Sequence, residues 1–233
     1  MARTAWTAAA FVAASIACGC GGSERSRDRG FFWWDRPSLE EQVAMLDDRA
    51  DPDRRREGIL LLSDTERGLQ DHYLKVYARL LRADPDASVR AAAVTALGRA
   101  GDPVYLPNII EALDDDAAIV RWDAATALDS VHGPAAVEPL QRRAASDPSP
   151  DVRCAGAKAL GHYPEKRVVR SLIHGLGDEA FCVRYQSLQS LKAITGEDHG
   201  YDVEAWGRFA ADYEPTARPA PKRPWWDLLG TTE

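Results

Sequence analysis

Cysteine is scarce in this chain, with four in 233 residues, at positions 18, 20, 154 and 182. That is too few to build a fold from disulfides. Positive charge is in deficit too: 29 Lys and Arg face 36 Asp and Glu, for a net charge of −7. The deficit excludes general nucleic-acid binding through a basic face. Enzyme motifs are missing. There is no glycine-rich phosphate loop, no His-Glu-x-x-His, no Gly-x-Ser-x-Gly, and no Cys-x-x-Cys beyond the N-terminus. The five histidines (His72, His132, His162, His174, His199) are scattered. His132 and His162 fall in similar turns and read as surface positions rather than a metal pair. No catalytic residue, metal or cofactor is therefore expected. Strand-type alternation is absent as well, so the fold class is all-α. A hydrophobic content of 45% is ample for a core and excludes wholesale disorder.

What the chain does have is a cadence. Val89-Arg90, Val120-Arg121, Val152-Arg153 and Val183-Arg184 recur at near-equal steps and open similar stretches, VRAAAVTALG, VRWDAATALD, VRCAGAKALG and VRYQSLQSLK. A fixed period with one helical pattern marks a repeat array. In each helix the valine and the fourth and eighth residues after it share a face: Val89, Ala93, Leu97; Val120, Ala124, Leu128; Val152, Gly156, Leu160; Val183, Ser187, Leu191. The small middle residue lets neighbouring helices approach closely. Asp84-Pro85-Asp86, Asp114 to Asp116, Asp147 to Asp151 and Gly177 to Glu179 are the turns, whose acids can cap the helices that follow. The stretches Gly98 to Pro103, with Gly98 and Gly101, and Leu160 to Pro164, with Gly161, end helices with glycine. Intervening helices are expected over 104–113, 134–145 and 167–176. Upstream, Ser38 caps a helix from Leu39, Asp51-Pro52-Asp53 breaks it, and Arg55 to Leu62 forms a degenerate first repeat, followed by a helix over 70–82.

The run Asp-x-x-x-x-Val-Arg-x-x-Ala-x-x-Ala-Leu-Gly, clearest from Asp84 to Gly98, resembles HEAT-like repeats in the short bacterial form also found in phycobilin lyases. The resemblance covers residues 39–213 and implies an α-solenoid of about five helix-turn-helix repeats, closed by Trp206 and Phe209. It implies that Arg90, Arg121, Arg153 and Arg184 pair with turn aspartates of neighbouring repeats. It also implies that the second helix of each unit lines a concave face, built from Ala91 and Ala92, Trp122 and Asp123, Cys154 and Ala155, Tyr185 and Gln186. One turn on lie Thr95, Thr126, Lys158 and Gln189. Trp122 and Tyr185 are the aromatic anchors expected to meet a protein partner. The function expected is a non-catalytic scaffold; the alternative is an accessory subunit similar to phycobilin lyases.

The flanks carry their own signals. Residues 1–20 hold Arg3 and an alanine-rich apolar run that would reach roughly 21 Å as a helix, short of a membrane span. That length fits a secretory signal. The small residues before Cys18 and Cys20 resemble a bacterial lipobox, Cys20 fitting better because glycine precedes it. The expectation is lipid anchoring in the cell envelope, with an ordinary cleaved signal as the alternative. Residues 21–38 form a tether ending in Phe31-Phe32-Trp33-Trp34, which docks over the first repeat or at the membrane interface. Residues 214–233 are a proline-rich tail ending in Trp225-Trp226-Asp227-Leu228-Leu229. That motif either docks on a solenoid or serves a separate partner. Cys154 and Cys182 fall at different repeat positions and read as buried apolar thiols, with a disulfide the other option.

Overall fold

The computed structural model describes residues 37–215. The lipobox cysteines Cys18 and Cys20, the Phe31–Trp34 run and the tail motif of Trp225, Trp226, Leu228 and Leu229 lie outside the described residues. The described residues form one compact unit. Its described part is helical and contains no strand. The helices are α1 (Leu39–Leu46), α2 (Pro52–Ser63), α3 (Asp71–Ala83), α4 (Ala87–Ala100), α5 (Leu106–Glu111) and α6 (Ala118–Ser130). They continue as α7 (Val137–Ser146), α8 (Pro150–Leu160), α9 (Lys166–Gly175), α10 (Phe181–Thr195) and α11 (Val203–Asp212). None of them is long and apolar enough to cross a membrane.

Five antiparallel pairs, α1/α2 to α9/α10, stack side by side, and α11 covers the end. The even-numbered helices form an inner row in close contact, whereas the outer helices touch one another far less. Small residues cause the difference. Ala91, Ala92, Ala93 and Ala96 of α4 are buried, as are Ala124, Ala125 and Ala127 of α6 and Ala155, Ala157 and Ala159 of α8. Gly98 takes this furthest, since a Cβ there would sit 2.6 Å from the Cβ of Ala127. It therefore lies inside α4 rather than ending it. The helix runs on to Ala100 and stops at Gly101, whose φ of 67° is the left-handed conformation that glycine tolerates. Gly161 does cap α8, but with ordinary right-handed geometry. An inner row spaced more tightly than the outer one curves the stack toward the inner side.

The helix starts also depart from expectation. Each inner helix begins two or three residues ahead of its Val-Arg pair. Asp86 caps α4 directly, accepting from the Ser88 amide at 2.8 Å. The turn aspartates Asp84, Asp115, Asp147 and Asp178 instead accept the amide two residues on, at 2.8–2.9 Å. Their carboxylates have a second task, described below, which holds them just outside the helix. The expected 104–113 helix shrinks to α5, flanked by tight turns at Pro103–Tyr105 and Ala112–Asp114. At the far end Trp206 is fully buried. Its Nε1 donates to the Gly200 carbonyl at 2.9 Å, and its ring packs edge-on to His199 and Phe209.

Candidate functional site

The arginines form a ladder. Nε and Nη2 of Arg90 hold the Asp115 carboxylate at 2.8 Å each. Arg121 holds Asp147 at 2.8 and 3.0 Å, and Arg153 holds Asp178 at 2.8 and 3.0 Å. In each case Nη1 donates back to the carbonyl of the preceding turn's aspartate, Asp84, Asp115 or Asp147. One guanidinium thus ties its own turn to the next. Arg55 does the same with Asp84 at 2.7 and 2.9 Å and with the Asp48 carbonyl. The cadence concealed this first rung because no valine precedes Arg55; the signal available was Asp84, one repeat further on. Arg184 is the correction at the other end. Its Nη1 donates to the Asp178 and Glu179 carbonyls at 2.8 Å, but among the described residues no carboxylate meets it. In sequence, Tyr213 follows α11 where Asp84 and Asp147 follow α3 and α7.

These pairs are structural. The Asp147 side chain is fully buried. Burial works to raise its pKa, but the Arg121 fork, the Ser149 amide and Arg143 outweigh it and hold the carboxyl below the usual range. Losing one partner of such a pair costs about 3–5 kcal/mol, because the other charge is left unmatched.

The inner face carries the candidate binding residues. Trp122 is 43% exposed and Tyr185 48%, at matching positions two repeats apart. Between them at the same register lies Cys154, half-buried. Ala91, Ala92 and Ala155 are buried between helices, so the exposed face is narrower than the sequence implied. Gln186 and Gln189 are half-buried on α10. Lys158 is already engaged: its Nζ pairs with Asp129 at 2.8 Å, and that carboxylate also bonds His162 Nε2 at 2.8 Å.

Two cavities open on α6, one of them beside Trp122. One, of about 380 Å³, is walled by Ile119, Trp122, Ser149 and Asp151. The other, of about 160 Å³, is lined by Thr95, Arg99, Asp123, Thr126 and Ser130. Burial pushes the Asp123 carboxyl up to about 6, against a smaller opposing effect from the Thr95 hydroxyl. Ile119 and Phe181, 50% and 63% exposed, belong to the same surface and escaped the sequence reading. Both lie in the first turn ahead of a Val-Arg pair, Ile119 one residue and Phe181 two residues before the valine.

The cysteines also differ from expectation. Cys182 is exposed and Cys154 half-buried, so neither is a core thiol. The start of α10 brings them together, with Cys154 Sγ donating to the Cys182 carbonyl at 3.4 Å, and both are free. Burial and the neighbouring thiol push Cys154 up to about 11. The rings of His132 and His162 stack in parallel at 4.7 Å. Stacked rings aim their nitrogens outward rather than at one point, and among the described residues no three ligating side chains converge. What the inner face can do is present aromatic and aliphatic anchors beside small polar cavities, which is recognition chemistry.

Comparison with known proteins fits this architecture. The profile of the HEAT repeats family matches residues 74–153. An uncharacterised phycocyanin operon protein Z from Pseudanabaena tenuis is 33% identical over 146 residues, 58% of this chain and 72% of that protein. Among solved structures, the complex of CpcE and CpcF of phycocyanin lyase from Nostoc aligns with a TM-score of 0.62 at 19% identity, over 78% of this chain and 73% of the other. YibA of Escherichia coli aligns at 0.56 and 22% identity over 66% of this chain, which spans 58% of that protein's length. A designed armadillo repeat protein in complex with a (KR)4 peptide aligns at 0.52 and 16% identity, over 75% of this chain and 88% of the other. At such identities the solved structures establish the fold, while the sequence relative and the family profile go further: the chain belongs to the HEAT-repeat family.

Proposed function

We propose that this chain is a non-catalytic subunit that binds another protein through its inner face, with Trp122 and Tyr185 as anchors. The observation that carries the reading is the matched pair of exposed aromatics on an otherwise small-residue row. Rigid aromatics on a preformed face dominate binding energy where they bury fully. The relatives support it: one similar fold was solved as a two-protein complex, another with a bound peptide. Combined Trp122→Ala and Tyr185→Ala should remove at least 2 kcal/mol of binding, ending co-purification while the helical circular dichroism signal stays intact. Retained capture, or loss of the helical signal, counts against the reading.

As to setting, the similarities favour an accessory role like that of phycobilin lyase subunits over a free-standing scaffold. The relative at 33% identity is named for a phycocyanin operon, and the CpcE and CpcF complex is a phycocyanin lyase. Adding a phycobilin to the purified protein should shift the pigment's absorbance. An unchanged spectrum, with and without a phycobiliprotein subunit, would remove this reading. The second setting is an exported, lipid-anchored scaffold in the cell envelope. What favours it is the apolar run over 4–17 leading to Cys18 and Cys20. Labelling cells with a fatty-acid analogue decides that point, since an unlabelled protein cannot be the anchored form.

A further inference from the structure

The arginine–aspartate ladder is open at its C-terminal end. Arg55, Arg90, Arg121 and Arg153 each present Nε and Nη2 to a carboxylate from the following repeat, at 2.7–3.0 Å. Arg184 is held in the same way from behind, by the Asp178 and Glu179 carbonyls. Its forward edge meets no acid among the described residues. Asp212 lies near the expected distance in sequence but is exposed at the end of α11 and has no ion-pair partner among the described residues. A preorganised guanidinium edge of this kind is a bidentate carboxylate site, and four copies of the occupied version stand beside it.

Around this edge lies the largest aromatic exposure of the inner row. Phe181 is 63% exposed, with the Arg184 guanidinium 5.6 Å from its ring centre. Tyr185, 48% exposed, lies 6.1 Å from Phe181 ring to ring, and the exposed Cys182 sits between them in sequence. The site therefore calls for one carboxylate flanked by large apolar side chains. The chain contains such a segment: Trp225-Trp226-Asp227-Leu228-Leu229. We propose that this segment docks on the start of α10, with Asp227 supplying the carboxylate that Arg184 lacks and the tryptophans and leucines covering Phe181, which leaves Tyr185 to the partner.

The distances allow it. Lys166, in the first turn of α9, donates to the Ala211 carbonyl at 2.8 Å and pairs with Glu214 at 3.7 Å. The end of α11 therefore lies beside the N-terminus of α9, across the stack from Arg184 by about the length of α10. That helix has 15 residues, or roughly 22 Å. The chain from Pro215 to Asp227 can span at most about 40 Å. Asp227 lies within reach.

Cys182 provides a reporter in the full-length protein. Its alkylation by iodoacetamide, followed by peptide mapping, should be slow in the wild type. In Asp227→Asn, in Trp225→Ala with Trp226→Ala, and in Arg184→Gln it should be faster by about tenfold, the loss expected for a hydrogen-bonded charge pair. The tail variants leave the described helices untouched, so they test docking even if Arg184→Gln unfolds the end. The charge swap of Arg184→Asp with Asp227→Arg should restore protection. Equal rates in the wild type and all tail variants overturn the proposal. So does protection that vanishes on dilution, which would place the segment on a second copy. Trp122 is not involved, so partner capture through Trp122 can fail while this result stands, and the reverse.

Discussion

Asp123 sits half-buried on α6 with the Thr95 hydroxyl beside it and, among the described residues, no ion-pair partner. Its carboxyl is pushed up to about 6, well above the model-compound value of 3.8. Between these values the folded protein holds a proton that the unfolded chain has released. That stabilisation is present at low pH and lost as pH rises through about 6. At pH 7.5 the fold carries a partly desolvated carboxylate. Asp123→Asn should therefore raise stability by about 1 kcal/mol at pH 7.5, after allowing for solvent screening, and by nothing near pH 4. Urea midpoints at the two pH values check this. A gain of equal size at both would place its origin in packing, not in charge. The same variant bears on recognition: if a partner's cation normally meets Asp123, its affinity falls as stability rises.

At the scale of the helix, two glycines make opposite forecasts. Gly98 in α4 faces Ala127 of α6, where an added Cβ would come within 2.6 Å of another Cβ and 3.1 Å of backbone. Gly207 in α11 is exposed, with nothing within 4 Å. Alanine favours a helix over glycine by about 1 kcal/mol. At Gly207 that preference acts alone, so Gly207→Ala should raise the melting temperature. At Gly98 overpacking of about 1–3 kcal/mol opposes it, so Gly98→Ala should lower the melting temperature. If both variants melt higher, close approach of α4 and α6 is not what Gly98 provides. This pair also shows how far the sequence could be read. The small-residue stripe of Ala93, Ala124 and Gly156 was legible because it repeats, and so were the helices and their partners. The glycine-bearing end of α4 was legible as well, but which glycine stops the helix and which packs inside it was not, because a glycine's role depends on what lies across the interface. Arg55 was missed and Arg184 over-read for the same reason: a rung needs its acid in the next repeat, so identity at one position is only half the signal. The exposed Phe181 and the meeting of Cys154 with Cys182 depend on where α10 begins, two residues ahead of the Val183-Arg184 pair.

Across the whole molecule, stability in such a stack is close to a sum of units and the interfaces between neighbours. Interior units are held on both sides by packing and by a rung of the ladder. The last unit is held by a rung on one side only, Arg153 to Asp178, since Arg184 lacks a carboxylate among the described residues, and it depends on α11 for its second face. Trp206 is the centre of that closure, fully buried, bonded to Gly200, and packed against His199 and Phe209. Trp206→Ala should cost about 3–5 kcal/mol locally. Because each unit touches only its neighbours, the loss should not spread evenly. Hydrogen exchange should quicken through α9, α10 and α11, while α2, α4 and α6 keep their wild-type protection. Thermal unfolding should change from one transition to two, the earlier one belonging to the C-terminal end. Uniform acceleration along the whole stack would mean that the repeats fold as a single cooperative block, with the ladder coupling distant units more strongly than nearest-neighbour packing allows. The outcome matters for binding as well, since Tyr185 lies on the unit that would open and Trp122 on one that would not.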